Sequence, residues 1–253
     1  MPDRPARAIR FVLVEPRYGG NVGAAARVLK NFGFHRLDLV APREGADHED
    51  AVRMAVDAAD LLARARTHAT LDEALEGAAA VVGTSRRMGK HRRPHYRLEE
   101  LAPTLAGLAA RGEVAMVFGR EDNGLSDDDL DRCTHLAYIR TSEAYPALNV
   151  AQAVAITAHE LSRALASAPD DAAEDDPPLA GHATREAMYA HLEEALLAIG
   201  FLKVDQLEGM MRRLRRILGR ADLTDGDVDV VRGIARQILW LARQARLAPP
   251  RHR

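Results

Sequence analysis

Short apolar runs that stop at glycine or proline, separated by stretches with a helical rhythm, constrain this chain most. The clearest is Val114–Phe118 (VAMVF), too short for a helix and bounded by Gly119, a pattern that predicts a buried strand. Ile9–Val14, Arg36–Val40, Ala79–Gly83 and His135–Ile139 repeat it, and Thr67–Ala69 is a weaker instance. Helical spacing fills the gaps. Val22, Ala25, Leu29 and Phe32 make one apolar face with Arg27 roughly opposite, and the rhythm returns over Ala51–Ala65, from Asp72, over Leu98–Ala110 and over Asn149–Ala168. Strands alternating with helices predict an α/β fold with a mainly parallel sheet. In such sheets ligands sit beyond the carboxyl ends of the strands. Two polar loops fall there, Gly119-Arg120-Glu121-Asp122-Asn123-Gly124 and the Pro146-containing segment leading to Asn149. Together they predict two walls of one pocket.

Helix starts are marked by side chains able to satisfy orphaned backbone N–H groups. Asn21 is expected to cap the first helix, and Ser126 with Asp129 three residues on has the form of a capping box. After Ala168 the pattern changes. The sequence divides into an α/β domain (1–168), an acidic, proline-flanked linker (169–182) and a three-helix domain (183–247). The last carries three apolar stripes: Met188, Leu192, Ala195 and Ile199; Leu207, Met211, Leu214 and Leu218; and Val228, Val231, Ile234, Ile238 and Leu241. Its Arg212, Arg213, Arg215, Arg216, Arg232, Arg236, Arg243 and Arg246 read either as solvated helix surface or, as a set, as a phosphate-facing patch.

The net charge of -2 points to no polyanion by itself, so nucleic-acid affinity would have to come from local clusters. The strongest is Arg86, Arg87, Lys90, Arg92 and Arg93, which follows the Ala79–Gly83 run without an intervening acid. One cysteine, Cys133, excludes an intrachain disulfide and reads as a buried small residue in a reducing, cytoplasmic setting. The amino-terminal charges precede no apolar segment of a signal peptide, and no run approaches the ~18 apolar residues of a membrane span.

Several familiar sites fail on spacing. Gly83–Lys90 is one position too long for a phosphate loop, and His91 stands where Ser or Thr is required. Gly19-Gly20-Asn21-Val22-Gly23 lacks the dinucleotide spacing, and Val40-Ala41-Pro42 provides no acid for a ribose. His68, His91, His95 and His135 lack metal-ligand spacing, so no metal is expected. No nucleophile elbow is present.

Three segments remain, each after a strand: Asn21-Val22-Gly23-Ala24-Ala25-Ala26-Arg27, Phe118-Gly119-Arg120-Glu121 with Gly124-Leu125, and Leu148-Asn149-Val150-Ala151-Gln152-Ala153. In this order they resemble the three motifs of the SPOUT RNA methyltransferases. The resemblance implies an α/β sheet with a carboxyl-terminal trefoil knot, an S-adenosylmethionine cofactor and a homodimer. It implies methylation of a ribose 2′-hydroxyl of cytidine or uridine in the tRNA anticodon loop, at nucleotide 32. A ribosomal RNA substrate, or an RNA-binding relative with weakened catalysis, are the alternatives. It also implies that Gly119, Glu121, Gly124, Ile139, Ala147, Leu148 and Asn149 hold the cofactor, with Thr84, Ser85 and Arg86 beneath it. Arg27, together with Asn21, makes up the implied catalytic set. Because arginine hardly ever loses its proton, orienting the hydroxyl suits it better than acting as a base. Asn21 either shapes the motif and cap or contacts RNA, and Glu121 either anchors its loop or touches substrate. The basic Arg86–Arg93 cluster would meet RNA phosphates. The third motif departs from the family pattern at Ala147, where serine is usual.

Overall fold

The computed structural model describes residue 6 and residues 8–85, 95–168 and 176–245. It divides into two compact units, Met1–Asp176 and Pro177–Arg253. In the first, seven parallel strands form one sheet: β1 (Ile9–Val14), β2 (Leu37–Val40), β3 (Arg66–His68), β4 (Ala78–Thr84), β5 (His95–Arg97), β6 (Glu113–Phe118) and β7 (His135–Tyr138). Their order is β3-β2-β1-β6-β4-β7-β5. Both β6 and β7 therefore insert between strands that precede them in the chain. Every residue of β1 and β2 is buried, as parallel strands covered on both faces require.

The helices of this unit are α1 (Gly19–Asn31), α2 (Glu49–Ala55), α3 (Ala59–Ala63), α4 (Leu71–Leu75), α5 (Leu98–Arg111), α6 (Asp127–Asp131) and α7 (Val150–Ser167). Val22, Ala25, Ala26 and Leu29 bury the inner face of α1. Gly23 is required by contact rather than by turn geometry, since a Cβ there would lie 2.0 Å from the Ala51 carbonyl oxygen of α2. The single helix expected over Ala51–Ala65 is broken. Val56 adopts φ 50°, and a 3-10 turn (Val56–Ala58) separates α2 from α3. The edge strand β5 has no counterpart in the apolar pattern because His-Tyr-Arg carries no aliphatic side chain.

The amino-terminal half of the sheet carries a buried charge network. Arg10, 3% exposed, donates to the carbonyls of Ala74 (2.8 Å) and Glu76 (2.7 Å), pairs with Glu113, and lies 3.6 Å from Asp38. Burial lowers the Arg10 pKa, opposed by Glu113. Burial would raise Glu113, but the hydrogen bond from Arg36 and the charges of Arg10 and Arg36 together hold it low. Removing one partner strands the others. Arg10→Ala should cost about 3–5 kcal/mol of unfolding free energy in urea titrations.

The second unit contains α8 (His182–Ala198), α9 (Leu207–Leu218) and α10 (Asp225–Gln244). Thr224 and Asp227 form a capping box at the start of α10. Ala180, Met188, Tyr189, Leu202, Met211 and Val228 form its core. Arg215 lies 4.4 Å over the Tyr189 ring and pairs with Glu186. The third apolar stripe differs from expectation. Ile234 and Leu241 are exposed, and Ala235, Leu239 and Ala242 are the buried residues alongside Val228. Ile199, expected at the end of the first stripe, is also exposed, just beyond the last residue of α8.

Candidate active site

Four adjacent strands, β1, β6, β4 and β7, deliver their carboxyl ends to one edge of the sheet. Thr84 at the end of β4 donates from Oγ1 to the Val117 carbonyl (2.9 Å), and the Ser85 N–H donates to the Ala137 carbonyl (2.9 Å). The β4 end is thus tied to both its neighbours. After β6 the chain folds back on itself. Arg120 N–H donates to Gly124 O (3.2 Å), and Gly124 N–H to Arg120 O (2.9 Å). This closure leaves no room above Gly119, where a Cβ would sit 2.1 Å from the Gly124 carbonyl carbon. Gly124 itself has φ 68°, a conformation that favours glycine.

The three motif segments meet through side-chain amides. Asn149 caps α7, its Oδ1 accepting from Ala151 N–H (2.8 Å), while Gln152 accepts from the Asn149 N–H (3.0 Å). Asn149 Nδ2 donates to Asn21 Oδ1 (3.0 Å), and Asn21 Nδ2 donates to Glu121 Oε1 (2.8 Å). The Glu121 carboxylate also accepts from the Arg17 N–H at 3.1 and 3.3 Å. The result is an unbroken line from the start of α7, through the first turn of α1, to the β6 loop. Every amide in it has a donor facing an acceptor, so only one orientation of each asparagine fits. Asn21 is therefore not the cap that the sequence predicts. The α1 helix begins two residues earlier at Gly19, whose N–H donates to Glu44 Oε2 (2.7 Å). A carboxylate from a distant loop satisfies the helix end and leaves the Asn21 side chain to bridge.

A second set of contacts braces the β6 loop on its other side. Arg120 pairs with both carboxylate oxygens of Glu15, one at 2.8 Å, and with Asp129 Oδ2 at 2.9 Å. Asp129 also accepts from the Ser126 N–H (2.8 Å), completing the capping box of α6. Glu15 has φ 47°, turning the chain out of β1 into the loop before α1. The hydrogen bond from Arg120 holds the Glu15 pKa below the ordinary carboxylate range. Burial would raise Asp129, but hydrogen bonds from Ser126 and Arg120 outweigh it and hold it low. Groups with depressed native pKa values stabilise the fold above the ordinary carboxylate pKa of ~4, and that contribution fades as pH falls through their native values. The melting-temperature gap between wild type and Glu15→Gln should accordingly be widest above about pH 5 and shrink in acid.

Arg27 lies on the exposed face of α1 and, among the described residues, makes no hydrogen bond or ion pair. Its guanidinium is available to a ligand. Ile139 is half-buried, while Ala147, Leu148 and Asn149 are exposed on the loop after β7. In that loop Thr141 Oγ1 donates to the Pro146 carbonyl (3.1 Å) and Ser142 Oγ accepts from the Ala144 N–H (3.2 Å). The structure brings Asn21, Glu121 and Asn149 into direct contact and sets Gly119 and Gly124 in the adjoining turn. Arg86, Arg87, Lys90, Arg92 and Arg93 lie outside the described residues. Sequence reasoning missed Glu15, Arg17 and Asp129 as parts of this edge. Glu15 and Arg17 are signalled only by position, close to the end of β1, and Asp129 only as half of the α6 capping box.

Comparisons with known proteins identify the family. Residues 8–159 match the SpoU rRNA Methylase family, and residues 183–249 match the tRNA methyltransferase TrmJ, C-terminal domain. The tRNA (cytidine/uridine/adenosine-2′-O-)-methyltransferase TrmJ of Pseudomonas aeruginosa is 38% identical over 245 residues, covering 93% of this chain and 95% of its own. The crystal structure of TrmJ from Z. mobilis superposes with TM-score 0.78 at 31% identity, covering 90% of this chain and 98% of that one. The SpoU methyltransferase AviRb from Streptomyces viridochromogenes, solved in complex with AdoMet, shares the fold at 19% identity and TM-score 0.51, over 62% of this chain and 60% of its own. With residues 8–159 matching the family and a relative 38% identical over nearly the whole chain, this chain belongs to the SpoU methylase family.

Proposed function

We propose that this protein transfers a methyl group from S-adenosylmethionine to the ribose 2′-hydroxyl of a cytidine or uridine in the tRNA anticodon loop, at nucleotide 32. The observation that carries the reading is the Glu121–Asn21–Asn149 line, which draws three sequence-distant motifs into one site. The residues fit the methyl donor. Residues 144–149 are uncharged, and among the described residues no backbone–backbone hydrogen bond uses an amide of 141–148. Apart from the Ala144 N–H and the Pro146 carbonyl, which side chains engage, these backbone groups suit the edges of an adenine, with Leu148 and Ile139 against its face. Gly119, Glu121, Gly124, Ala147 and Asn149 complete the holding set with Thr84 and Ser85, and Arg86 is assigned to it from the sequence alone.

When bound, S-adenosylmethionine supplies an electrophilic methyl carbon on a cationic sulfur. Arg27 orients the ribose hydroxyl toward that carbon and neutralises the charge that develops on its oxygen as the proton leaves to solvent. A donor aimed at developing charge lowers the barrier most where it is already in place. Asn21 and Glu121 hold α1, and so Arg27, in register with the donor loops. Ala147 offers no hydroxyl where the family pattern has serine, and the Thr141 hydroxyl is spent on the Pro146 carbonyl. Residues 1–168 act as the catalytic domain, with the family's trefoil knot, and residues 183–247 as an RNA-binding helical domain. The enzyme works as a cytoplasmic homodimer and needs no metal.

Mass mapping of 2′-O-methylated nucleotides in RNA from cells with and without the gene tests the reading. Loss of one methyl from the tRNA anticodon loop is the expected result. Loss of a ribosomal RNA methyl with tRNA unchanged would overturn it. Replacing two or three of Arg86, Arg87, Lys90, Arg92 and Arg93 by Ala should weaken tRNA binding. It should also flatten the salt dependence, by about one unit of slope for each phosphate no longer neutralised, as measured by filter binding.

A further inference from the structure

Ion pairing accounts for nearly every cation of the first unit, and the exceptions fall in one place. Among the described residues of that unit, each lysine and arginine has a carboxylate within ion-pair distance except Arg27, Arg43 and Arg140. Arg27 belongs to the chemistry proposed above. Arg43 lies three residues beyond β2 and Arg140 two beyond β7, both exposed on the ligand edge of the sheet. In the sheet order β2 and β7 are four strand spacings apart, about 19 Å at ~4.8 Å each, and they flank the site. Aromatic exposure follows the same edge. Tyr18 is 59% exposed and Tyr145 82%, and no other described Phe, Tyr or Trp of the first unit is exposed. Tyr18 stands on an anchored turn. Its carbonyl accepts from the Asn21 N–H (3.0 Å), its neighbours Arg17 and Gly19 donate to Glu121 and Glu44, and the Arg43 N–H donates to the Pro16 carbonyl (3.0 Å). Tyr145 stands in the loop that the Thr141–Pro146 hydrogen bond closes and that reaches Asn21 through Asn149. Rings kept in water beside a site mark a contact surface.

We infer, on the RNA substrate proposed above, that this edge takes an unpaired stretch of RNA, with phosphates against Arg43 and Arg140 and bases stacked on Tyr18 and Tyr145. Cations that track the backbone, combined with rings that face the bases, are what a single strand needs. A duplex hides its base faces in its own stack and offers phosphates and ribose edges, which would leave both rings without a partner. Stacking reads the face of a base and not its edge, so these contacts tolerate different bases. A base drawn out of its own stack onto a ring also frees its ribose to turn toward Arg27. The same loops carry two acids without partners among the described residues, Asp47 and Glu143. The surface therefore works through discrete contacts and not through a uniform positive field.

Filter binding of the full-length chain to two RNA hairpins tests this, one with an intact anticodon-type loop and one with its loop bases removed. Tyr18→Ala and Tyr145→Ala should each weaken binding to the intact hairpin roughly 5- to 150-fold, the worth of one stacked base. Neither should change binding to the abasic hairpin, which has no face to stack. Tyr18→Phe and Tyr145→Phe should bind both hairpins like wild type, because the ring and not the hydroxyl makes the contact. Arg43→Gln and Arg140→Gln should weaken both hairpins alike, each flattening the salt slope by about 0.7, the value for one phosphate of a single strand. All four side chains are exposed, so the variants should melt with wild type. Equal loss on both hairpins in the tyrosine variants, as expected if the rings pack against a second copy, would overturn the inference, as would no loss on either. An unchanged salt slope in the arginine variants, or wild-type affinity for a blunt RNA duplex as high as for the intact hairpin, would do the same. Methyl transfer to the intact hairpin is read in parallel. Transfer undiminished in all four variants sinks the inference alone, whereas no transfer by wild type with the binding pattern intact sinks the proposed reaction alone.

Discussion

Gly119→Ala should abolish most cofactor binding while leaving the sheet intact. The added methyl would stand 2.1 Å from the Gly124 carbonyl carbon and 2.2 Å from the Leu125 nitrogen. Both are backbone atoms, so no rotamer change relieves the overlap, and the β6 loop must open. Opening breaks the mutual Arg120–Gly124 hydrogen bonds and moves Glu121 off Asn21. Overpacking of this kind costs about 1–3 kcal/mol. If that strain falls on the bound loop, the dissociation constant for S-adenosylmethionine rises roughly 5- to 150-fold. Calorimetric titration reads it directly. Binding unchanged from wild type would show that the closed turn is not part of the donor site.

Arg27→Ala should produce the opposite pattern, with cofactor binding retained and methyl transfer lost. The side chain is exposed on α1 and, among the described residues, supports no hydrogen bond or ion pair, so its removal should shift stability by no more than about 0.5 kcal/mol. Losing a donor aimed at a developing oxyanion costs about 100- to 1000-fold in turnover. Single-turnover methylation of tRNA at saturating cofactor measures that loss apart from binding. Arg27→Lys should recover only part of it, since a point charge cannot offer the planar fork that orients a hydroxyl and neutralises a phosphate together. Full transfer by Arg27→Ala would remove Arg27 from the chemistry.

The strands are readable because a parallel sheet buries both faces of each strand and leaves unbroken apolar runs, as in β1 and β6. The edge strand β5 is not, since its pairing with β7 depends on backbone groups and not on its side chains. The first-turn role of Asn21 escapes local reading for a physical reason. Its partners Glu121 and Asn149 are 100 and 128 residues away, and the carboxylate that relieves it of capping comes from Glu44. Local spacing shows which residues can cap, but not which distant group reaches the helix end first. In α10 the difficulty is an excess of signal. Two apolar faces share one helix, and the larger residues Ile234 and Leu241 belong to the face that is not buried within the unit. Small Ala235 packs with Ala195 of α8, and Ala242 is buried on the same face.

The late insertion of β6 and β7 governs when the site can exist during synthesis. The β1–β6 ladder pairs Ile9 with Val114, so its partner leaves the ribosome about a hundred residues later. Until then β1 and β4 flank an unfilled gap in the sheet. Non-local parallel pairing of this kind is slow, because the loop-closure entropy must be spent before the contacts return it. Nascent chains that end before Phe118 should therefore stay open to protease and bind no methyl donor, and completion of the sheet and of the ligand site should appear as one event after the first 150 or so residues have emerged.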